Sequence, residues 1–253
     1  MAVWTKPGDP SVYGTMEVDA APALKFLEEQ NRSRAEKLTI THLIIKAVAK
    51  TLAKYPQLNV IIRRNRLYTR DHVDLFVQVF FKEKENPDLS GAKIRNAHTM
   101  GLEEIAKTLK DQSQKIRGDE DPNLKTAKGV LKFFPPFFLK GMIRVLGYLG
   151  YDLNISPRFL NLPPDPFGAA MITNVGMFGL HFGFAPLVPF SRTPMVILIG
   201  EITKRPAVEN DQVVVKPMFD FCVTIDHRII DGYMGGVAGK YLRELFENPA
   251  LLD

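Results

Sequence analysis

Phe219-Asp-Phe-Cys-Val-Thr-Ile-Asp-His-Arg-Ile-Ile-Asp-Gly232 is a stretch in which apolar and polar residues alternate. Phenylalanine, valine and isoleucine occupy the odd positions from 219 to 225, and this period of two predicts a β-strand with one strongly apolar face. His227 stands at the end of the predicted strand, where a rigid backbone can hold an imidazole and still leave it facing a channel. Asp231 and Gly232 follow, and the glycine gives the chain freedom to turn. A helical pattern then runs to a stop at Asn248-Pro249.

The residues His227, Asp231 and Gly232 allow two interpretations. In the simpler one, His227 ends a strand and Asp231 caps the helix that follows. The longer phrase Asp226-His-Arg-Ile-Ile-Asp-Gly232 is more specific, because it ends an apolar strand and precedes a helix rich in small residues. It resembles the active-site motif of the dihydrolipoamide acyltransferase catalytic domain of 2-oxo acid dehydrogenases, a family that shares its fold with chloramphenicol acetyltransferase.

Other segments resemble the same family and occur in the same order along the chain. They are Lys37–Asn59 with its ending Pro-Gln-Leu-Asn, Gly101–Arg117, Gly168–Gly179 with Thr-Asn-Val-Gly at 173–176, and Phe190–Gly200. In the last of these, Met195 stands where the family has an acidic or amide residue. The resemblance covers roughly 11–117 and 168–253. It implies a single α/β domain with a chloramphenicol-acetyltransferase-like mixed sheet and helices, forming a trimer.

Periodicity and capping residues predict the elements of the first half of the chain. The predictions are a strand over Ser11–Val18, a helix from Asp19-Ala-Ala-Pro22 to about Asn31, a helix from Thr39 or Thr41 to Tyr55-Pro56, strands around Val60–Ile62 and Val73–Phe81, and a helix over 101–117.

Residues 118–168 depart from the family, which has a short linker there. The part from 130 to 151 is apolar and basic, and Pro135-Pro136 divides it. Charged residues and prolines interrupt it too often for a membrane span. One helical face is predicted from Leu139, Met142, Ile143, Leu146 and Leu149. Packing against the rest of the protein is the simplest interpretation, and contact with a membrane surface, a subunit interface or an acyl pocket are the alternatives. Residues 162–166, Leu-Pro-Pro-Asp-Pro, predict an extended connector.

The composition of the 253 residues, 45% hydrophobic and 24% charged, is typical of one globular domain. The single cysteine, Cys222, excludes a disulfide within the chain, and no signal peptide opens the sequence, so a cytoplasmic location is predicted. The net charge of +5 and the arginines at 63, 64, 66 and 70 are compatible with an anionic ligand such as coenzyme A. No stacking motif accompanies them, and nucleic acid is therefore not expected as a partner.

The resemblance assigns roles to individual residues. His227 is the general base that takes the proton of a thiol, since a neutral imidazole can accept it at pH 7 and a thiol is then mostly protonated. Thr173 supplies the hydroxyl that binds the oxyanion, and Asn174 is either part of the site or a turn residue. Asp231 orients the loop that carries His227 by bonding an arginine. Gly176 and Gly232 are tentative substrate-binding positions.

The resemblance also implies partners and assembly. In the family the histidine and the hydroxyl come from adjacent subunits, so a monomer is expected to be inactive. Coenzyme A is a substrate, and no permanently bound cofactor or metal is predicted, because no histidine pair has metal-ligand spacing. No lipoyl or subunit-binding domain is recognised, and a lipoyl group is expected on another chain. The alternatives are an acyltransferase with an alcohol, amine or carrier-thiol acceptor, and a trimeric scaffold without activity.

Overall fold

A computed structural model of the chain describes residues 9–83, 86–117, 141, 144–153 and 165–252. The helices are α1 (Ala21–Asn31), α2 (Ile40–Lys54), α3 (Leu102–Arg117) and α4 (Gly232–Glu247). The strands are β1 (Ser11–Asp19), β2 (Val60–Arg63), β3 (Arg66–Thr69), β4 (Leu75–Glu83), β5 (Asn86–Ile94), β6 (Ala170–Asn174), β7 (Met195–Ile199), β8 (Thr203–Glu209) and β9 (Gln212–Asp226).

The main sheet is mixed, as predicted. Its order is β1-β9-β7-β6-β4-β5, and β8 pairs with the first half of β9. The central strands β4, β6 and β7 run parallel, while β9 is antiparallel to β7 and β1. The carboxyl end of β9 therefore lies at one end of the strands, and the carboxyl ends of β6 and β7 lie at the other end.

The helices cover one face of this sheet and form the core with it. Leu75, Ile172, Ile197 and Phe219 point from the strands into a cluster that also contains Leu43, Ile44, Ile105, Leu245 and Phe246 of the helices. The α2 helix is buried over most of its length, since ten of its residues are inaccessible. Burial on this face is the main source of stability for a domain of this kind.

We call the opposite side of the sheet the second face. It carries the side chains of Phe76, Met171, Thr173, Leu198 and Cys222, which alternate along their strands with the core residues. The segment 176–190 lies over this face. In it Phe184 stacks 5.2 Å from Tyr13 and Phe178 lies 5.1 Å from Phe80, measured between ring centroids.

The predicted helix starts have clear local causes. The Asp19 carboxylate accepts a hydrogen bond of 2.8 Å from the N–H of Ala21, the first residue of α1. At the start of α2, the Thr39 N–H donates 3.0 Å to Nδ1 of His42. These contacts satisfy backbone groups that a helix end leaves unpaired.

The strands that the sequence analysis did not predict include β3, β5 and β8. Two of them, β3 and β8, belong to tight hairpins with described turns, β2–β3 and β8–β9. The turns use Arg64 and Asn65, with φ of 47° and 59°, and Asn210 and Asp211, with φ of 50° and 60°. Two consecutive left-handed residues are typical of a two-residue hairpin turn. The asparagines are a signal of these turns, although no glycine strengthens it.

Part of the segment 118–168 is described, and it docks on the body of the domain. Residues 144–147 are helical and a π-helical turn spans Tyr148–Asp152. Leu139, Met142 and Ile143 of the predicted apolar face, and the connector up to residue 164, lie outside the described residues, while Leu146 and Leu149 are half-buried. Within the described ranges, no helix has both the length and the hydropathy needed to cross a bilayer.

Candidate active site

His227 lies immediately after β9, at the carboxyl end of this strand. Its backbone N–H donates a 2.9 Å hydrogen bond to the carbonyl of Pro10, which fixes the main chain at this point. The side chain is exposed. A rigid backbone with an accessible imidazole is the arrangement that the sequence analysis predicted for a general base.

Asp226, directly before His227, pairs with Arg228. Its carboxylate is buried and accepts hydrogen bonds from the Arg228 backbone N–H at 3.0 Å, from Nε at 2.9 Å and from Nη2 at 2.6 Å. These bonds raise the pKa of the Arg228 guanidinium. Arg228 is thereby held in an ion pair with Asp226. The i, i+2 spacing of the two residues is the only signal of this pair in the sequence.

Asp231 caps the helix that follows. Its Oδ1 accepts a 2.8 Å hydrogen bond from the Met234 N–H at the start of α4. Among the described residues it contacts no arginine, so the expected Asp231–arginine bond is absent there, and the carboxylate–arginine pair beside the histidine belongs to Asp226. The structure therefore gives Asp231 a contact through which it can hold the loop, namely the helix cap.

Gly232 does not act as the predicted turn residue. It is the first residue of α4, and φ is positive only at Gly168 and Gly179 among the glycines of the described part of the chain. A methyl group built on Gly232 would meet nothing within 4 Å. The surface above it is thus open to a ligand or a second subunit.

Thr173 and Asn174 end β6 and face opposite sides of the sheet. Thr173 is half-buried on the second face, in register with Leu198 of β7. The Asn174 amide donates 3.1 Å to the Thr41 hydroxyl, and its Oδ1 accepts 3.0 Å from the Gly176 N–H. Asn174 is thus used as a turn residue, one of its two predicted roles. Gly176 is needed for close packing, since a Cβ there would lie 2.7 Å from the Gly200 carbonyl oxygen.

Thr173 and His227 are far apart within one chain. Thr173 aligns with Leu198, which aligns in turn with Cys222 of β9. Asp226 is four residues further along β9, a rise of roughly 13 Å, and two strand spacings add roughly 10 Å across the sheet. His227 lies one residue beyond. The two predicted catalytic groups are therefore separated by more than about 15 Å, and one chain does not bring them together.

The remaining candidate groups lie outside the site. Cys222 is buried on the second face, with Sγ 3.7 Å from the Thr15 hydroxyl. His42 is buried, which lowers its pKa. His181 is exposed. The arginine cluster is divided, because Arg70 is buried and paired with Asp165 at 2.6 Å, while Arg64 and Arg66 are exposed. No metal-binding group of three His, Cys, Asp or Glu occurs in the described ranges.

A cavity of about 680 Å³ adjoins the Asp226–Arg228 pair. One wall is the run Pro186-Leu-Val-Pro189, and another is formed by Arg64 and Asn65 of the β2–β3 turn. The segment 148–152 contributes Tyr148 and Asp152. Tyr148 and Asp152, from the segment 118–168, thus line a cavity beside the loop that carries His227.

The fold and this arrangement define a class of acyltransferase domain. The family model of "2-oxoacid dehydrogenases acyltransferase (catalytic domain)" matches residues 5–122 and 167–252. The chain therefore belongs to this family, as the sequence resemblance predicted. The match leaves out residues 123–166.

Two curated relatives are dihydrolipoyllysine-residue acetyltransferase components. The chain is 23% identical over 249 residues to the dihydrolipoyllysine-residue acetyltransferase component of the pyruvate dehydrogenase complex of Rickettsia felis, covering 96% of this chain and 49% of that protein. It is 26% identical over 243 residues to the corresponding component of the acetoin cleaving system of Bacillus subtilis, covering 94% and 50%. The chain thus spans about half the length of these relatives.

Solved structures share the fold. A probable dihydrolipoamide acetyltransferase from Listeria monocytogenes superposes with a TM-score of 0.69 at 19% identity, covering 94% of this chain and 85% of that one. The cubic core of a pyruvate dehydrogenase multienzyme complex gives a TM-score of 0.69 at 16% identity, covering 97% and 84%. The predicted architecture, a mixed sheet with helices, is thereby confirmed.

Proposed function

We propose that this chain transfers an acyl group between coenzyme A and a dihydrolipoyl-type thiol, with His227 as the general base. The observation that carries this proposal is the position of His227 in a chain of the acyltransferase family. The imidazole is exposed, while the backbone on both sides of it is fixed by the Pro10 carbonyl and by the Asp226–Arg228 pair. Coenzyme A is a substrate in this proposal, and the lipoyl group belongs to another chain or domain.

The chemistry requires few groups. The His227 imidazole takes the proton of the acceptor thiol, and the thiolate forms a bond to the thioester carbonyl carbon. The carbonyl oxygen becomes an oxyanion, to which the Thr173 hydroxyl donates a hydrogen bond. When this intermediate collapses, the bond to the coenzyme A sulfur breaks, and the imidazolium returns its proton to that sulfur. No redox partner or metal takes part in these steps.

The site is completed by a second copy of the chain in this proposal. The separation of more than about 15 Å between Thr173 and His227 argues for it, since proton transfer and oxyanion binding must occur within hydrogen-bond reach of one thioester. The segment 176–190 offers a surface for the contact, because Met177, Leu180 and Phe182 are 62%, 53% and 65% exposed beside the second face. Apolar patches of this kind usually mark interfaces. A closed trimer satisfies all copies at once.

A non-lipoyl acceptor is the second candidate function. The cavity beside Asp226 and Arg228 is lined partly by Tyr148 and Asp152, which lie outside the family match. A wall that the family does not share is a means of admitting a different acceptor, such as an alcohol, an amine or a carrier thiol. The acyl donor and His227 would keep their roles.

The experiment is a transfer assay with acetyl-, propionyl- and longer acyl-coenzyme A as donors, and dihydrolipoamide and other acceptors in parallel. We expect release of free coenzyme A that depends on dihydrolipoamide and is lost in His227→Ala. Transfer to a different acceptor alone would replace the lipoyl proposal with the second candidate. Absence of transfer to every acceptor by the correctly assembled protein would leave only the scaffold interpretation.

A further inference from the structure

Gln78 stands beside Thr173 on the second face of the sheet. The strands β4 and β6 are parallel, and Phe76 aligns with Met171 and Val77 with Ile172. The next position in the same register brings Gln78 opposite Thr173, about 4.8 Å away between backbones. Both side chains leave the sheet on the same side, because Val77 and Ile172 point into the core.

The polar groups of these two side chains are available to a ligand. Gln78 and Thr173 are both half-buried. In the part of the chain that the structure describes, neither side chain makes a hydrogen bond to the protein. A primary amide and a hydroxyl next to each other, without protein partners, form a pair of hydrogen-bond donors that can converge on one oxygen atom.

Aromatic side chains flank Gln78 along β4. Phe76 precedes Gln78 by two residues and contacts Phe167 at 5.0 Å, while Phe80 follows it by two and contacts Phe178 at 5.1 Å. The Phe76 ring lies across Gly91 of β5, where an added Cβ would be 1.9 Å from the ring. Gly91 therefore lets this ring lie over β5. Apolar walls strengthen hydrogen bonds to a developing charge by excluding water.

We propose that Gln78 is a second oxyanion-binding residue, whose amide N–H donates to the same carbonyl oxygen as the Thr173 hydroxyl. This inference rests on the proposed acyl transfer. When the acceptor sulfur bonds to the carbonyl carbon, the π electrons move to oxygen, and both donors shorten their contacts to the oxyanion. On collapse, the carbonyl re-forms and the coenzyme A sulfur leaves with the bonding electrons. The amide exchanges no proton in this sequence.

The test compares Gln78→Met and Gln78→Glu with the wild type. Both substitutions keep the approximate volume and remove the amide donor. Loss of one oxyanion donor lowers kcat by roughly 10²–10³ in known cases. We expect kcat to fall at least about tenfold in both variants with KM nearly unchanged, since the oxyanion exists only in the transition state and intermediate. Gln78→Asn, which retains a shorter amide, should recover part of the loss.

Gln112→Met is the matched control. Its amide donates 2.7 Å to the Lys93 carbonyl on the helix-covered side, away from Thr173, so kcat should stay within about twofold of the wild-type value. A folded Gln78→Met protein with wild-type kcat would overturn the role of Gln78 alone. Wild-type protein without His227-dependent transfer would overturn the proposed function and this inference together. If Gln78→Met fails to assemble, the polar Gln78→Glu variant decides between the outcomes.

Discussion

Arg192 holds Asp152 through both oxygens of its carboxylate. Nη1 of the guanidinium donates 2.9 Å to Oδ1 and Nη2 donates to Oδ2, while the Arg64 backbone N–H adds a 2.9 Å bond to Oδ1. The contact joins Asp152, in a segment outside the family match, to Arg192, which follows shortly after the segment 176–190. The neighbouring Tyr151 is buried. This ion pair therefore anchors the segment 148–152 to the residue Arg192.

Asp152→Asn should make the free energy of unfolding less sensitive to low pH. The hydrogen bonds from Arg192 lower the pKa of Asp152 below its ordinary value of 3.8. A carboxyl group with a depressed pKa in the folded state stabilises the fold above its unfolded pKa and ceases to do so as the pH falls through the folded pKa. We expect Asp152→Asn to lower Tm at pH 7 and this difference to shrink below about pH 4.

Thermal unfolding from pH 7 to pH 3 measures this effect. Asp211→Asn is the control, since Asp211 occupies an exposed hairpin turn that asparagine also tolerates. A deficit of Asp152→Asn that is the same at every pH would show that the ion pair is not responsible.

Asp226→Asn should weaken both the fold and the site. The Asp226 side chain is 8% exposed, and its carboxylate accepts hydrogen bonds from Arg228. These two residues flank His227 in the sequence. Losing such a buried charged acceptor costs about 1–3 kcal/mol of unfolding free energy. We also expect a lower kcat, because the turn that carries His227 loses its clamp. Arg228→Lys keeps the positive charge but loses the planar guanidinium that binds both carboxylate oxygens. Its Tm and kcat should therefore lie between those of the wild type and those of Asp226→Asn. Unchanged Tm and kcat in Asp226→Asn would show that the pair is dispensable.

Asp231 should act through its helix cap. Asp231→Ala removes the acceptor of the Met234 N–H and should cost about 0.5–2 kcal/mol. Asp231→Asn keeps a capping oxygen, so we expect nearly wild-type stability and activity. The two variants are compared by denaturant unfolding and by transfer rate. If Asn lowers kcat as much as Ala while preserving stability, the charge of Asp231 has a role beyond the cap.

The core of the fold was predictable because its signals are local. The period of two in β9 and the helical periods of α2 and α3 depend only on which residues are apolar, and these elements occur where predicted. The turns at Arg64-Asn65 and Asn210-Asp211 were missed because left-handed pairs without glycine give a weak signal. Sequence alone could not place Gln78 next to Thr173, since that proximity depends on the register of two strands more than ninety residues apart.

The site was predictable in part. A helix cap at Asp231 was one of two interpretations, and only the geometry shows that its carboxylate binds the Met234 N–H. The distance between Thr173 and His227 follows from the strand order, which no periodicity encodes. The segment 148–152 is anchored in part by the ion pair of Asp152 with Arg192, forty residues later, and a pairing at this range has no sequence signal.

The most direct test of the central claim mixes two inactive proteins. His227→Ala and Thr173→Ala subunits are co-assembled in equal amounts, and acyl transfer is measured against the wild type and each variant alone. If each site takes His227 from one copy and Thr173 from its neighbour, about a quarter of the sites are intact in a random mixture. We predict recovery to about a quarter of wild-type activity, from variants reduced by roughly 10² or more. Verified mixed assemblies that remain as inactive as the separate variants would contradict the shared site.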